Sequence, residues 1–165
     1  MQLFSKYELQ DHVAVEIARM YSIEFKEPFF VAIGNYSDFD VCSLSKNIRI
    51  ELKCESTPSR TGNICVEFWN SDLNAPSGVL ATRATLWVHL VVENDSNITA
   101  YEYDIHALRK LVIETGDIKG NRNAIFKLIP LEVFRKHSRR SFRFDSKFLN
   151  EFSGERKGEM NVTKH

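Results

Sequence analysis

The sequence predicts an α+β fold of α/β/α type, a central mixed β-sheet flanked by helices, and three observations predict it. Residues 7–21 repeat apolar side chains at helical spacing. Residues 48–54 alternate apolar and polar side chains, as a half-buried strand does. Beyond them, short β-rich runs and one capped helix follow without the regular strand–helix alternation of a parallel α/β protein. A length of 165 residues, 43% hydrophobic and 27% charged, suits one domain built on one core.

In YELQDHVAVEIARMY, Leu9, Val13, Ile17 and Met20 share one helical face, with Ser5 as N-cap. Phe29 to Ile33 is a short strand, broken by Gly34-Asn35. A second strand pattern runs through Asp38 to Leu44, and Ser45-Lys46-Asn47 turns the chain. In the strand that follows, Ile48, Ile50, Leu52 and Cys54 take one face and Arg49, Glu51 and Lys53 the other. Pro58 to Gly62 reads as a loop, Ile64 to Trp69 as a strand, Ser71 to Gly78 as turns and Val79 to Ala84 as a short helix. Leu86 to Val92 and Ile98 to Tyr103 pair as a hairpin. Asp104 caps a helix over Ile105 to Glu114 by accepting from its free first-turn amides. Gly116 to Asn123 reads as a loop, Ala124 to Ile129 as a strand, and Pro130 opens a short helix at Leu131 to Phe134.

The chemistry concentrates in SDFDVCSLSKNIRIELKCE. Glu51 and Lys53, two residues apart on one strand, project from one face roughly 7 Å apart. A two-residue turn at Lys46-Asn47 puts Asp40 opposite Lys53, so the three side chains converge. Two converging carboxylates want a hard cation that takes oxygen ligands, and Mg²⁺ fits. Asp38 competes with Asp40 for the first position.

Charge is distributed unevenly. The chain holds 22 Lys/Arg and 22 Asp/Glu, yet residues 1–118 carry 10 basic and 17 acidic side chains, and residues 119–147 carry nine and two. Basic residues with aromatics between them, as in KHSRRSFRFDSKF, suit a phosphate backbone. Three cysteines, Cys42, Cys54 and Cys65, make an odd set without metal-ligand spacing. They read as small buried hydrophobes in a reducing compartment, and the N-terminus lacks a signal-peptide pattern. The longest apolar runs are too short to span a bilayer. The five histidines have no metal-ligand spacing and read as structural or surface residues. Trp69 and Trp87 read as core or rim aromatics.

Several stretches together resemble the PD-(D/E)XK nuclease superfamily, in its phage and bacterial members. Asp40 followed by Glu51-Leu52-Lys53 matches the D…(D/E)xK signature. Gly62 to Phe68, Pro76-Ser77-Gly78-Val79 and Ala81 to Trp87 resemble that pattern's next strand, Ser-Gly turn and Thr-Thr-Lys-Ala-Asp stretch. Asn121 to Pro130 resembles its closing strand. Arg83 stands where the pattern has Lys, and Thr85 where it has Asp. The resemblance covers roughly residues 5–135. It implies a restriction-endonuclease-like nuclease domain over residues 1–135, followed by a basic, flexible C-terminal extension over 136–165. It implies a metal-dependent DNA endonuclease with Asp40, Glu51 and Lys53 as catalytic residues. Mg²⁺, replaceable by Mn²⁺, is then held by Asp40, Glu51 and the Leu52 carbonyl. Further acids come from Glu8, Glu16, Asp38 and Glu67, and Gln10 sits closest to the place of the family's first-helix acid. DNA is held by Arg60, Arg83, Arg135, Lys136, Arg139, Arg140 and Arg143. Cleavage of both strands implies a homodimer in the cytoplasm of a bacterium or phage-infected host. The alternatives are a non-catalytic nucleic-acid-binding or accessory protein on the same fold and a junction-resolving or nicking enzyme.

Overall fold

The N-terminal helix α1 (Lys6–Phe25) is built on a stripe spaced four apart: Leu9, Val13, Ile17 and Tyr21 are all buried. It stops where Lys26 turns left-handed, at φ 54, two residues before Pro28. Then come β1 (Phe29–Val31), β2 (Val41–Ser43), β3 (Arg49–Glu55), α2 (Pro58–Thr61), β4 (Asn63–Asn70), β5 (Ala75–Pro76) and α3 (Gly78–Ala81). They continue as β6 (Leu86–Asn94), β7 (Asn97–Asp104), α4 (Ile105–Glu114), β8 (Asp117–Gly120), β9 (Ala124–Pro130), α5 (Leu131–His137) and β10 (Arg140–Asp145). This computed structural model describes residues 6–32, 39–94, 97–121 and 123–145, without the side chains of residues 6–8 and 145. The expected Ser5 cap lies outside them.

The strands form two sheets. The larger runs β1-β2-β3-β6-β7-β10 and is mixed, because β3 and β6 are parallel and the other pairs antiparallel. The smaller, β5-β4-β9-β8, is antiparallel and is built partly by the crossover between β3 and β6. Along β3 burial alternates without a break: Ile50, Leu52 and Cys54 go under α1, with Val88, Leu90 and Ala100 beside them. The opposite face of the large sheet, with Trp87, Val91, Tyr101 and Tyr103, packs against Ile64, Val66 and Ile129 of the small sheet and against α3, α4 and α5. The fold is therefore α+β, a mixed sheet covered by helices, as the sequence predicts.

Some elements differ from that reading. Pro58 to Gly62 is a helical turn, with Pro58 at its start and Gly62 left-handed at φ 70 as its cap. Residues 117–120 pair with β9 although all four are exposed, so only backbone bonds and no apolar face make them a strand. Cys65 lies on the half-buried face of β4 rather than in the core, where Cys42 and Cys54 are.

The basic segment also differs. Residues 140–145 form the edge strand of the large sheet, paired with β7 from Arg140↔Glu102 to Asp145↔Asn97. Its period of two sends Phe142 and Phe144 toward α1. Arg140 goes with them: its Nε donates to Glu102 Oε2 (2.9 Å) and its Nη1 to Glu24 Oε2 (2.8 Å), and its guanidinium lies over the Tyr21 ring. Glu102 is fully buried, with Arg139 Nε 3.5 Å from its other oxygen. Removing one partner of such a pair leaves an uncompensated buried charge. Arg140→Ala is expected to cost about 3 kcal/mol in urea unfolding, and adding Glu102→Gln to recover part of it. A loss below about 1 kcal/mol would mean that Arg140 does not hold this edge.

Candidate active site

The turn between β2 and β3 sets the geometry. Ser43 N–H donates to Ile48 O, so residues 44–47 form a four-residue loop, with Lys46 left-handed at φ 58. The register is Val41↔Ile50, and Asp40 therefore does not fall opposite Lys53. Instead Asp40 clamps β3 on either side of Glu51. Its N–H donates to Ile50 O (2.8 Å), and its Oδ2 accepts from Leu52 N–H at 2.6 Å, in place of a ladder bond beyond the reach of β2. Backbone N–H groups lie in the plane of a sheet, so the Asp40 carboxylate sits at the sheet edge rather than on the face. The N–H and C=O of one strand residue point to the same edge, which aims the Leu52 carbonyl there too.

Glu51 and Lys53 project from the face, and Lys53 Nζ lies 2.9 Å from Glu51 Oε1. They line a cleft of about 660 Å³ between the two sheets with Gln10, Glu55, Cys65, Glu67, Thr82, Trp87 and His89. Asp40 does not line this cleft, but Glu51 and Lys53 are close enough to act on it. Burial pushes the Asp40 carboxyl up to about 6; the Leu52 bond and Lys53 hold it down, and Glu51 and Asp11 add to the rise. Burial opposes charge on Lys53, but Glu51, Asp40 and Glu67 outweigh it and raise the ammonium above its ordinary range.

Two structural links shape the surroundings of the site. Thr85 Oγ1 accepts from Arg49 N–H (3.0 Å) and donates to Arg49 O (3.1 Å), so the residue that departs from the resemblance ties down the start of β3. Gly78 stands at φ 48, where a Cβ would lie 2.3 Å from Glu67 O, and this close approach seats α3 against β4 beside the cleft.

The donors available are the Asp40 carboxylate and the Leu52 carbonyl at the sheet edge and the Glu51 carboxylate on the adjoining face, all oxygen, which suits Mg²⁺ or Mn²⁺. Among the described residues no three His, Cys, Asp or Glu side chains gather closely enough to hold a metal by themselves. Such a site would therefore rely on Asp40, Glu51 and the Leu52 carbonyl, with water completing the shell.

No family model and no curated protein matches the chain. Among solved structures the chain is similar to a bacterial homing endonuclease, at 15% sequence identity over 94% of this chain and 100% of that chain, with a TM-score of 0.43. A likeness that remote carries no information about chemistry. Among the described residues no helix is long and apolar enough to cross a membrane.

The other expected residues scatter. Glu67 lines the cleft. Glu16 is paired with Arg19 on α1 and does not line it. Asp38 and the Glu8 side chain lie outside the described residues. Arg60 is exposed at the end of α2, and Arg83 borders a separate hollow with Arg49, His106 and Arg109. Arg135, Lys136 and Arg143 surround another hollow, whereas Arg139 and Arg140 turn to Glu102.

One pair lies beyond what sequence patterns reveal. His89 is buried under the cleft, with its Nε2 2.9 Å from Glu55 Oε2. Trp87 Nε1 can only donate, and it points at His89 Nδ1 (3.4 Å), so His89 carries its proton on Nε2 and donates to Glu55. Glu55 Oε2 also accepts from Cys65 N–H, which joins β3 to β4. These residues lie 34 and 10 positions apart, and no local pattern marks them.

The Asp40 shift has a consequence for stability. Its folded value of about 6 lies above its ordinary 3.8, so the folded state binds more protons between these values, and stability falls as pH rises through that window. Asn keeps an oxygen for Leu52 N–H and removes the charge. Asp40→Asn is expected to stabilise the metal-free protein at pH 7 by about 1–2 kcal/mol after solvent screening, and by little at pH 4. Urea unfolding in EDTA at both pH values checks this. A variant less stable at pH 7 would contradict it.

Proposed function

We propose that the chain is a metal-dependent DNA endonuclease of the PD-(D/E)XK type, hydrolysing phosphodiester bonds with Asp40, Glu51 and Lys53. One observation carries the reading: a partly buried carboxylate, Asp40, is fixed at the edge of β3 beside Glu51, and Lys53 extends from the same strand. Like charges are rarely assembled in partial burial without a counter-ion or a task.

Asp40 and Glu51, with the Leu52 carbonyl, would hold Mg²⁺ or Mn²⁺. Bound there, the cation would supply Lewis acidity toward the phosphate and lower the pKa of a water. The chain's residues do the rest. The clamp on Ile50 and Leu52 keeps Asp40 from swinging into solvent. Glu51 holds Lys53 at 2.9 Å, so the ammonium is positioned to donate to the attacking water or to a phosphate oxygen. Glu51, Asp40 and Glu67 keep Lys53 protonated, while Glu55, fixed by His89 and Cys65 N–H, ties the end of β3 to the cleft wall. Cutting both strands with one site per chain calls for two copies, so the working form is a homodimer. A DNA substrate and three free cysteines fit the cytoplasm of a bacterium or of a phage-infected host.

Supercoiled and linear duplex DNA incubated with Mg²⁺ or Mn²⁺ tests the reading. Cleavage is expected with either metal and not in EDTA. Glu51→Gln is expected to abolish it, and Lys53→Ala to slow it by about 10²–10⁴-fold, the usual range for a lost proton-handling group. Full activity of Glu51→Gln would exclude the assignment. The second reading, a protein that binds nucleic acid without cutting it, draws on the lack of a third gathered acid among the described residues. It predicts DNA binding with no cleavage in either metal.

A further inference from the structure

Five cations lie between residues 135 and 143, and the fold divides them into two groups. Arg140, on the α1 face of β10, is bound to Glu102 and Glu24, and Arg139 leans on Glu102. Ser141 and Arg143 alternate with it and so point to the other face of the large sheet. There Arg143 meets Arg135 and Lys136, brought in by the last turn of α5. With Thr99 and Tyr101 of β7, and with Glu132, Ser138 and Ser141, they surround a hollow of about 490 Å³.

Three features make this hollow different from a solvated basic face. It is concave, and three cations line it against one lining acid, Glu132, with Glu93 beside it accepting from Thr99 Oγ1 (2.8 Å). Among the described residues Arg135, Lys136 and Arg143 make no ion pair, although the neighbouring Arg140 makes two. The third feature is convergence. Burial raises the Tyr101 phenol and Glu93 adds to the rise, while Arg135, Arg143 and the Thr99 hydrogen bond pull it back, so two guanidiniums from different elements act on one hydroxyl. Forked guanidiniums beside hydroxyl groups match the oxygens of a phosphate.

Its position relative to the cleft follows from the strand register. Lys53, His89, Tyr101 and Ser141 are successive partners across β3, β6, β7 and β10. Three steps at about 4.8 Å each put Ser141 about 14 Å from Lys53 along the sheet. Phe134 of α5 stands between, edge-on to both His89 and Tyr101, so the helix is the wall that separates hollow from cleft. The cleft itself carries Glu51, Glu55 and Glu67 against Lys53, and it offers a polyanion little attraction of its own.

We infer that the hollow formed by Arg135, Lys136 and Arg143 is a phosphate subsite that grips the nucleic-acid backbone away from the scissile bond, and that Arg139 and Arg140 belong to the fold rather than to this subsite. The inference rests on the nucleic-acid reading proposed above and supplies the attraction that the acidic cleft lacks. Contacts to phosphate carry little sequence information, so the subsite holds unrelated DNA sequences alike.

Binding of a fluorescein-labelled duplex, followed by anisotropy across a range of salt with Ca²⁺ in place of Mg²⁺, tests this without any turnover. Each phosphate contact that is lost lowers the slope of log affinity against log salt by about 1. The triple variant Arg135→Ala, Lys136→Ala and Arg143→Ala is expected to lower the slope by about 2 to 3, equally for two unrelated sequences. Lys110→Ala, an exposed cation on α4, is expected to leave the slope unchanged. Arg135→Lys with Arg143→Lys keeps the charge and is expected to keep the slope, which guards against a loss caused by misfolding. A drop in the triple variant below about 2, an equal drop in Lys110→Ala, or no binding by the unaltered protein overturns the inference. A protein that binds through the hollow and never cuts DNA would keep the subsite and refute the endonuclease. One that cuts DNA with an unchanged slope would do the reverse.

Discussion

The bond from Leu52 N–H to the Asp40 carboxylate is the constraint on which the candidate site depends. The β2 ladder stops at Val41, and without that bond the next amide of β3 on this edge would have no ladder partner. An unsatisfied, partly buried N–H is costly, so the side chain is drawn into the plane of the sheet to replace a strand. The same act places a carboxylate beside Glu51, where burial and like charge raise its pKa. A structural need and an electrostatic tension thus fall on one residue. A cation held here, as proposed, would relieve the tension without breaking the bond, because a carboxylate has a second oxygen to offer.

The rest of the molecule keeps that edge in register. The parallel pairing of β3 with β6 fixes Glu51 beside Trp87 and Lys53 beside His89. Thr85 anchors the start of β3, and Glu55 ties its end to His89 and to the Cys65 amide on the small sheet. The crossover from β3 to β6 carries β4 and α3, so the cleft is walled by the very chain that the parallel topology requires. On the far side, Arg140 closes the other edge of the sheet by neutralising Glu102.

Local patterns make much of this legible. The alternation from Ile48 to Cys54 is enough to mark β3, its buried face and the Glu51–Lys53 pair. Asp104 is readable as a cap, and it accepts from His106 and Ala107 N–H at the start of α4. What the residues hide has physical reasons. The four-residue loop at 44–47 uses a left-handed Lys46, a residue with none of the glycine or asparagine signal that marks such positions. β8 has no apolar face to read. In β10 the period of two is present as Arg140, Phe142 and Phe144 against Ser141 and Arg143, but its high charge gives it the look of a tail. The Glu55–His89 pair is set by the β3–β6 register, which depends on where a long crossover returns.

The proposed activity turns on whether Asp40 and Glu51 together hold a cation. Titration of the protein with Mn²⁺, followed by electron paramagnetic resonance of the free ion, tests it most directly. One bound Mn²⁺ per chain is expected, lost in both Asp40→Asn and Glu51→Gln and displaced by excess Mg²⁺. Mn²⁺ bound as tightly by both variants as by the unaltered chain, or not bound by the unaltered chain at all, would contradict it.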